Sequence, residues 1–506
     1  MSDAPAAVDR SDGVIVVGGG LGGLAAASRL AKAGRRVTLL ESRPRLGGRA
    51  TSFQDAGSGE TIDNCQHVGM GCCSALQQFA AEAGLGDLFR IEPNLTFIDA
   101  EGRQSRFRGN ALPAPLHLAP AFAGLKYLTW RDRRQIARGL KALARARGPW
   151  NGSFDDWLRA NGQDEPVRRL FWHVVLVSAL SETLNRIDVA AARKVFVDGF
   201  LTTRHGYELH IPIRPLDDLY GEPMLGHLGG LGVDVHLNAG VAQIEVETVD
   251  GQPPRARGVT LRSGEMLAAA AVVLAVPFHR VAGLLPAEVS DGEAGAAFRR
   301  LSELESAPIA SVHLWFDREI TDLPHAVFVD HLSQWLFARP PAADGELGTY
   351  YQVVISASRG VLERPREEVI AAVVDELRGA FPDARPAELL RSRLVVEKRA
   401  VFSVTPGSDR LRPPQRTTVD GLFLAGDYTR TGWPATMEGA VRSGELAAAA
   451  ILDAEPAIPP DPRPARLARW MMGKDCVVDS GRSDGELEAG GIEHAVRRVA
   501  AASSAR

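Results

Sequence analysis

The chain of 506 residues predicts an α/β fold, a Rossmann-like dinucleotide-binding domain with an α+β domain inserted into it. Three features predict this arrangement. Residues 13–41 read as strand, glycine turn, helix and strand; a second buried strand, at 421–427, ends in a glycine and an acid; the long span between passes through apolar helices and then short alternating strands. A chain of this length exceeds a single core, so two or three domains are expected.

Val14–Val17 is an unbroken β-branched run, the pattern of a strand buried on both faces. Gly18, Gly20 and Gly23 follow in G-x-G-x-x-G spacing. The first permits a tight turn, the second a close approach of backbone to a pyrophosphate, and the third close packing of helix on sheet. Leu21 sits inside this turn, and residues 24–33, rich in alanine and leucine, form a helix whose unpaired amides face the phosphates. Val37–Leu40 is the next strand. Glu41 ends it, eighteen residues past Gly23, where a carboxylate accepts hydrogen bonds from ribose hydroxyls. Alone, the glycine spacing describes an ordinary turn; with strand, helix and acid in place it reads as a site for an adenine dinucleotide.

With 58 basic and 62 acidic residues, the net charge of −4 argues against nucleic acid as a partner. Cys65, Cys72, Cys73 and Cys476 supply no disulfide framework, and a reducing cytoplasm suits them. The N-terminus, with Asp3, Asp9 and Asp12, lacks the basic and apolar regions of a signal peptide. No apolar run approaches the length of a membrane span, so the sequons at Asn94 and Asn151 carry no expected sugar.

Downstream of Glu41, Gly47 and Gly48 let the backbone pass close under a cofactor, and Arg49 offers a fixed charge to its pyrophosphate or ring edge. The run from Glu41 through Arg43 and Arg45 to Gly47, Gly48 and Arg49 resembles the opening of the flavin amine oxidase and carotenoid desaturase superfamily. That resemblance implies FAD, in a GR2-type flavoprotein, with Arg43, Gly48 and Arg49 among its contacts. Ile62-Asp-Asn-Cys-Gln-His67 is similar to the D-N-G-Q-H line of the squalene-associated FAD-dependent enzymes, the hydroxysqualene dehydroxylases, and to a related line in plant-type phytoene desaturases. Cys65 stands where that family usually has glycine, and a thiol there narrows the space beside the flavin. The group of Cys65, His67, Cys72 and Cys73 fits no common zinc spacing, so no metal is expected, and Cys72 and Cys73 read as small buried residues at a helix start.

Residues 112–120 carry three prolines and cannot form a regular helix. Residues 121–130 are apolar and aromatic. Residues 131–147 then place seven cations against Asp132, with Ile136, Leu140 and Leu143 at helical spacing. Such a basic amphipathic helix suits the surface of an anionic membrane, and the same pattern fits a helix packed on its own domain. Residues 170–180 are apolar all round, as in a helix buried in a domain or lining a lipid tunnel. Residues 310–316, 326–330, 334–338 and 349–356 read as strands, followed by a helix at Arg366–Ala380. Strands at 232–238, 240–246 and 269–277 return to the cofactor domain, where the resemblance implies that the backbone of Val241 pairs with adenine. The expected division is a discontinuous FAD-binding domain (1–105, 205–285, 395–455), a substrate domain (106–204, 286–394) with a membrane-contact segment at 112–147, and a proline-rich linker and flexible tail (456–506).

The strand at 421–427 ends in Gly426 and Asp427, and an acid there can accept bonds from ribityl hydroxyls. A helix opens near Met437 after Pro434, so Met437 and Glu438 present amides toward the flavin carbonyls. The wording from Thr431 to Ala440, T-G-W-P-A-T-M-E-G-A, also resembles the dehydroxylase family. The resemblance spans 13–453 and implies reductive removal of the allylic hydroxyl of hydroxysqualene to give squalene, on a long apolar isoprenoid. The alternative is a phytoene- or carotenoid-type desaturase, with hydride moving the other way. An amine oxidase fits less well, since only Trp433 offers an aromatic cage, and a non-catalytic flavoprotein is the remaining reading. His67 is the first candidate proton donor and Asp63 the second. No second G-x-G-x-x-G follows a strand, so electrons come from an external donor, and the expected location is cytoplasmic, at the inner face of the membrane. Oligomeric state is open.

Overall fold

Val14–Val17 is buried at all four positions. In the computed structural model, which describes residues 13–57, 59–148, 150–339 and 348–472, this strand lies inside a five-stranded parallel sheet. The order is Asp234–His236, Val37–Leu40, Val14–Val17, Ala271–Leu274, Leu422–Leu424. Val14 and Val16 cluster with Leu24 and Leu30 of helix Leu21–Lys32 and with Ala447 and Ala448 of helix Met437–Leu452. Ile15 and Val17 cluster with Ile244 and Val259 of an antiparallel sheet formed by Val241–Glu247, Arg255–Leu261 and Met266–Ala268. Cover on both faces is what a parallel sheet requires. The two helices cross so closely that a Cβ on Gly444 would lie 2.2 Å from the Gly22 carbonyl oxygen.

The second domain is a seven-stranded mixed sheet in the order Leu389–Phe402, Ser306–Phe316, Thr349–Ile355, Trp335–Ala338, His325–Phe328, Leu95–Ile98, Gln104–Phe107. One face packs Val312, Leu314 and Val353 with Val369, Val373 and Leu377 of helix Arg366–Ala380. From the other face Val327, Trp335 and Phe337 line a cavity. Two expected boundaries are corrected. Leu95–Ile98, placed in the cofactor domain, and Gln104–Phe107, split by the expected boundary at 105, belong to this sheet because Phe97 and Ile98 pair with Val327 and Phe328; the boundary at 394 falls inside Leu389–Phe402. Pairing between segments so distant in the chain leaves no mark on the local pattern of either.

Helices close the cavity opposite the sheet. Helix Trp130–Arg145 starts at Thr129, whose Oγ1 accepts the Asp132 amide at 3.2 Å while the Asp132 carboxylate accepts the Thr129 amide at 2.7 Å. Such a capping box stabilises a helix start by about 1 kcal/mol. The apolar segment near 170 is a π-helical turn, Arg168–His173, continued by helix Val174–Leu180. Trp172, Leu176 and Leu180 are buried in the domain, whereas Phe171, Val175 and Ala179 line the cavity, so one side of this helix is core and the other is cavity wall. Among the described residues no helix is long and apolar enough to cross a membrane.

The tail expectation is corrected for residues 456–472, which are tied down. The Ala465 amide donates to the Thr202 carbonyl at 2.8 Å, and helix Arg466–Met472 buries Ala468 and Met472 against Ala144 and Val197. Residues 473–506, with Cys476, lie outside the described residues, as do Asp3, Asp9 and Asp12.

Candidate active site

In open parallel sheets ligands bind beyond the carboxyl ends of the strands, and there a cavity of about 1430 Å³ opens. Gly18 leaves the central strand with φ of 112°, and a Cβ there would sit 2.5 Å from the Ala275 carbonyl oxygen. A Cβ on Gly23 would sit 1.9 Å from the Gly18 carbonyl oxygen, so helix Leu21–Lys32 can start against the turn only with glycine at this position. The Gly47 amide donates to the Gly19 carbonyl at 2.8 Å and thereby lays the second glycine loop across the first. The outcome is a cradle of bare backbone at a helix amino end, lined by Gly18, Gly20, Leu21, Glu41, Arg43 and Gly48, which fits the diphosphate of a dinucleotide. Gly23 acts from behind it.

Glu41 is buried, its Oε2 accepting the Gly19 amide at 2.7 Å and its Oε1 the Arg43 amide at 2.8 Å. These bonds hold the carboxylate at the edge of the cradle. Arg49 and Asp427, far apart in the chain, meet: Arg49 Nη2 donates to Asp427 Oδ1 at 2.7 Å and Nη1 to the Ala400 carbonyl at 2.7 Å. The ion pair clamps the second glycine loop to the end of strand Leu422–Leu424, and both of its residues line the cavity. The Gly426 amide donates to Ser443 Oγ at 2.7 Å. Val241 and Met437 line the same cavity. Met437 is the first residue of its helix, and the cap is Thr436, whose Oγ1 accepts the Gly439 amide at 3.0 Å; threonine two residues after a proline was the available signal.

Glu438 lines the cavity at this helix start, and its side chain has a task the sequence did not show. Its carboxylate is fully buried and accepts the amides of Ala75 and Leu76 at 3.1 and 2.8 Å, capping helix Ser74–Glu82, and it pairs with Arg442 at 2.6 Å. Its side chain is a staple between elements. Asp63, the second candidate proton donor, is corrected: fully buried, it accepts bonds from Ser52 Oγ at 2.7 Å and the Leu216 amide at 2.9 Å and pairs with Arg339, whose guanidinium lies 5.4 Å from the centre of the Tyr350 ring. Sequence reasoning missed Arg339, and no local signal marks it.

His67 does line the cavity. Its Nδ1 lies 2.9 Å from the Cys65 carbonyl oxygen, so Nδ1 carries the proton and Nε2 is left as the acceptor. Burial holds this imidazole below the ordinary histidine range, with the Cys65 carbonyl and Asp63 opposing and Arg49 reinforcing. A neutral imidazole in this tautomer suits a base rather than the proton donor expected. Burial also pushes the Cys65 thiol up to about 12, so it stays protonated. Among the described residues no group of three or more His, Cys, Asp or Glu side chains is placed to hold a metal.

From the cradle the cavity continues between the mixed sheet and the helices, lined by Leu118, Phe122, Phe171, Phe196, Trp335 and Phe337. Lys194, which the sequence did not single out, also lines it; its Nζ lies 4.4 Å from the centre of the Trp433 ring and 2.5 Å from Asp198. Ala119 and Ala137 are both exposed and both line the cavity, which puts a mouth beside helix Trp130–Arg145. The outer face of that helix exposes Arg131, Arg134, Arg138 and Lys141, and Trp130 is 73% exposed at its start.

A two-part cradle that leads into an apolar arm is the architecture of an FAD-dependent oxidoreductase. The profile of the flavin containing amine oxidoreductases matches residues 21–452, and the chain belongs to that family. The 15-cis-phytoene desaturase of Solanum lycopersicum is 30% identical over 471 residues, covering 87% of this chain and 77% of that protein. The 15-cis-phytoene desaturase of Synechococcus elongatus is 27% identical over 461 residues, covering 87% and 95%. Among solved structures, an oxidoreductase from Methanosarcina mazei matches with a TM-score of 0.65 at 20% identity, over 87% of this chain and 99% of that one, a likeness of fold.

Proposed function

We propose that the chain dehydrogenates a long isoprenoid, as the names of its desaturase relatives suggest. The observation that carries this reading is His67, a neutral imidazole with Nε2 as acceptor in the cavity that joins cofactor cradle and apolar arm. Bound FAD supplies a two-electron acceptor. One carbon of the substrate would release a hydride to that acceptor while its neighbour loses a proton to His67 Nε2, and the electron pair left behind becomes the new C=C bond. The Cys65 carbonyl fixes the tautomer this requires, and the apolar walls keep water away. An external partner must then remove the electrons.

The resemblance of residues 62–67 and 431–440 to hydroxysqualene dehydroxylases favours a second reading, in which an allylic carbon of hydroxysqualene receives a hydride and the hydroxyl leaves as water. That direction needs a proton donor, a role the neutral His67 fills less well. Product analysis separates the two. FAD-loaded protein with phytoene and a quinone acceptor should yield a more conjugated polyene; squalene from hydroxysqualene and reduced FAD, with no polyene, would select the second reading, and no product from either would sink both.

His67→Gln should lower kcat by about 10²–10⁴-fold with flavin retained. In the wild type, Nε2 accepts a proton only while neutral, so kcat/KM for dehydrogenation should fall on the acid side, with a midpoint below the ordinary 6.5. The exposed basic face beside the mouth supports delivery of an apolar substrate from an anionic bilayer. Co-sedimentation with phosphatidylglycerol vesicles, and not with phosphatidylcholine alone, is the expected result. Replacing Arg134 and Arg138 together by glutamine should remove about 2 kcal/mol, roughly thirtyfold in binding.

A further inference from the structure

Residues 456–472 lie beyond the matched span of 21–452, yet they join three parts of the cavity. Asp461 pairs with Arg442, and its Oδ2 lies 3.4 Å from Lys194 Nζ. Arg442 belongs to helix Met437–Leu452 on the cofactor side, where its Nε also meets Glu438 at 2.6 Å. Lys194 belongs to the wall of the apolar arm, directly before the π-helical segment Val195–Leu201, and meets Asp198 of that segment at 2.5 Å. Both cations lie over the Trp433 ring, 4.4 and 5.1 Å from its centre. Farther on, Ala468 and Met472 are buried with Val197 of the wall segment and Ala144 of the basic helix.

These groups leave little room for slack. The side chains of Arg442 and Lys194 are only 5% and 15% exposed, and a cation so placed needs an acid. Glu438 serves Arg442 and Asp198 serves Lys194, but Asp461 meets both and so bridges the two sides. The wall it secures is a π-helical turn, a rare geometry frequent at functional sites, and its Val195, Phe196, Gly199 and Phe200 face the cavity.

We propose that residues 456–472 are a strap that sets the width of the apolar arm, with Asp461 as its positioning residue. Through Lys194 and Arg442 it holds segment Val195–Leu201 and Trp433 in register with the cofactor cradle. This rests on the reading that a long apolar molecule fills the arm. Without the Asp461 carboxylate each cation keeps its own acid but the bridge between them is gone, so the wall is released from helix Met437–Leu452 and the arm loses its fit.

The test uses FAD-loaded full-length protein and squalene as the probe, read by displacement of the fluorescent polyene cis-parinaric acid. Asp461→Asn, and a chain ending at Ala454, are expected to weaken squalene binding by about tenfold or more, with flavin per protein unchanged and Asp461→Glu restoring binding. Equal binding in all four proteins would overturn the strap. Should a variant fail to fold, hydrogen exchange on the wild type decides: squalene is expected to slow exchange in 195–201 and 456–472 together, and protection of the first without the second overturns the proposal. A wild type that binds no squalene, while retaining flavin, overturns the isoprenoid reading and the strap's role with it.

Discussion

Gly23→Val is expected to give a protein that does not retain FAD. The Cβ alone would lie 1.9 Å from the Gly18 carbonyl oxygen, well inside contact distance, and that oxygen belongs to backbone that cannot swing aside. Helix Leu21–Lys32 would have to withdraw from the turn, carrying its amino-terminal amides away from the diphosphate. Hydrogen bonds to a charged group contribute about 1.5–3 kcal/mol each, so losing two of them costs at least about a hundredfold in affinity. Overpacking of this kind also destabilises the domain by about 1–3 kcal/mol. Flavin absorbance per protein after desalting measures the first effect and urea unfolding of the apoprotein the second. A variant with the full flavin complement would show that the close contact of helix and turn is not what shapes the cradle.

Asp63→Ala is expected to cost about 3–5 kcal/mol of stability, because it leaves Arg339 facing a buried site without its carboxylate and strands the Ser52 hydroxyl and the Leu216 amide. The denaturation midpoint should fall at constant slope. Combining it with Arg339→Met removes both charges and should recover part of the loss, a coupling that a proton donor would not display. If Asp63→Asn instead abolished turnover at unchanged stability and flavin content, the frame role assigned to this residue would be wrong.

The two residues differ in how plainly the chain announces them. Gly23 was legible because its meaning is local: strand, turn, helix and acid fall within residues 14–41, and each is recognisable from its neighbours. The strand, turn and helix that carry Gly426, Asp427 and Met437 were legible for the same reason. Asp63 was misread. It lies beside Asn64, which faces the cavity, and spacing along the chain cannot tell the wall of a site from the frame behind it. Its partner Arg339 comes from a segment hundreds of positions away, as do the amides at 75 and 76 that the Glu438 carboxylate holds. His67 fell between: its place in the cavity matched, but its tautomer depends on where the Cys65 carbonyl points, which is a matter of backbone direction.

The sequence by itself determined a dinucleotide site and the presence of an apolar domain, because glycine spacing and hydrophobic period follow directly from what backbone and side chains permit over a few consecutive turns. Only the tertiary structure decided which charges serve the site. It pairs Arg49 with Asp427, Asp63 with Arg339, and Asp461 with both Lys194 and Arg442. The physical reason is that an ion pair is made where two distant segments meet in space, and burial then fixes whether a charge is neutralised within the frame or left to act on a ligand.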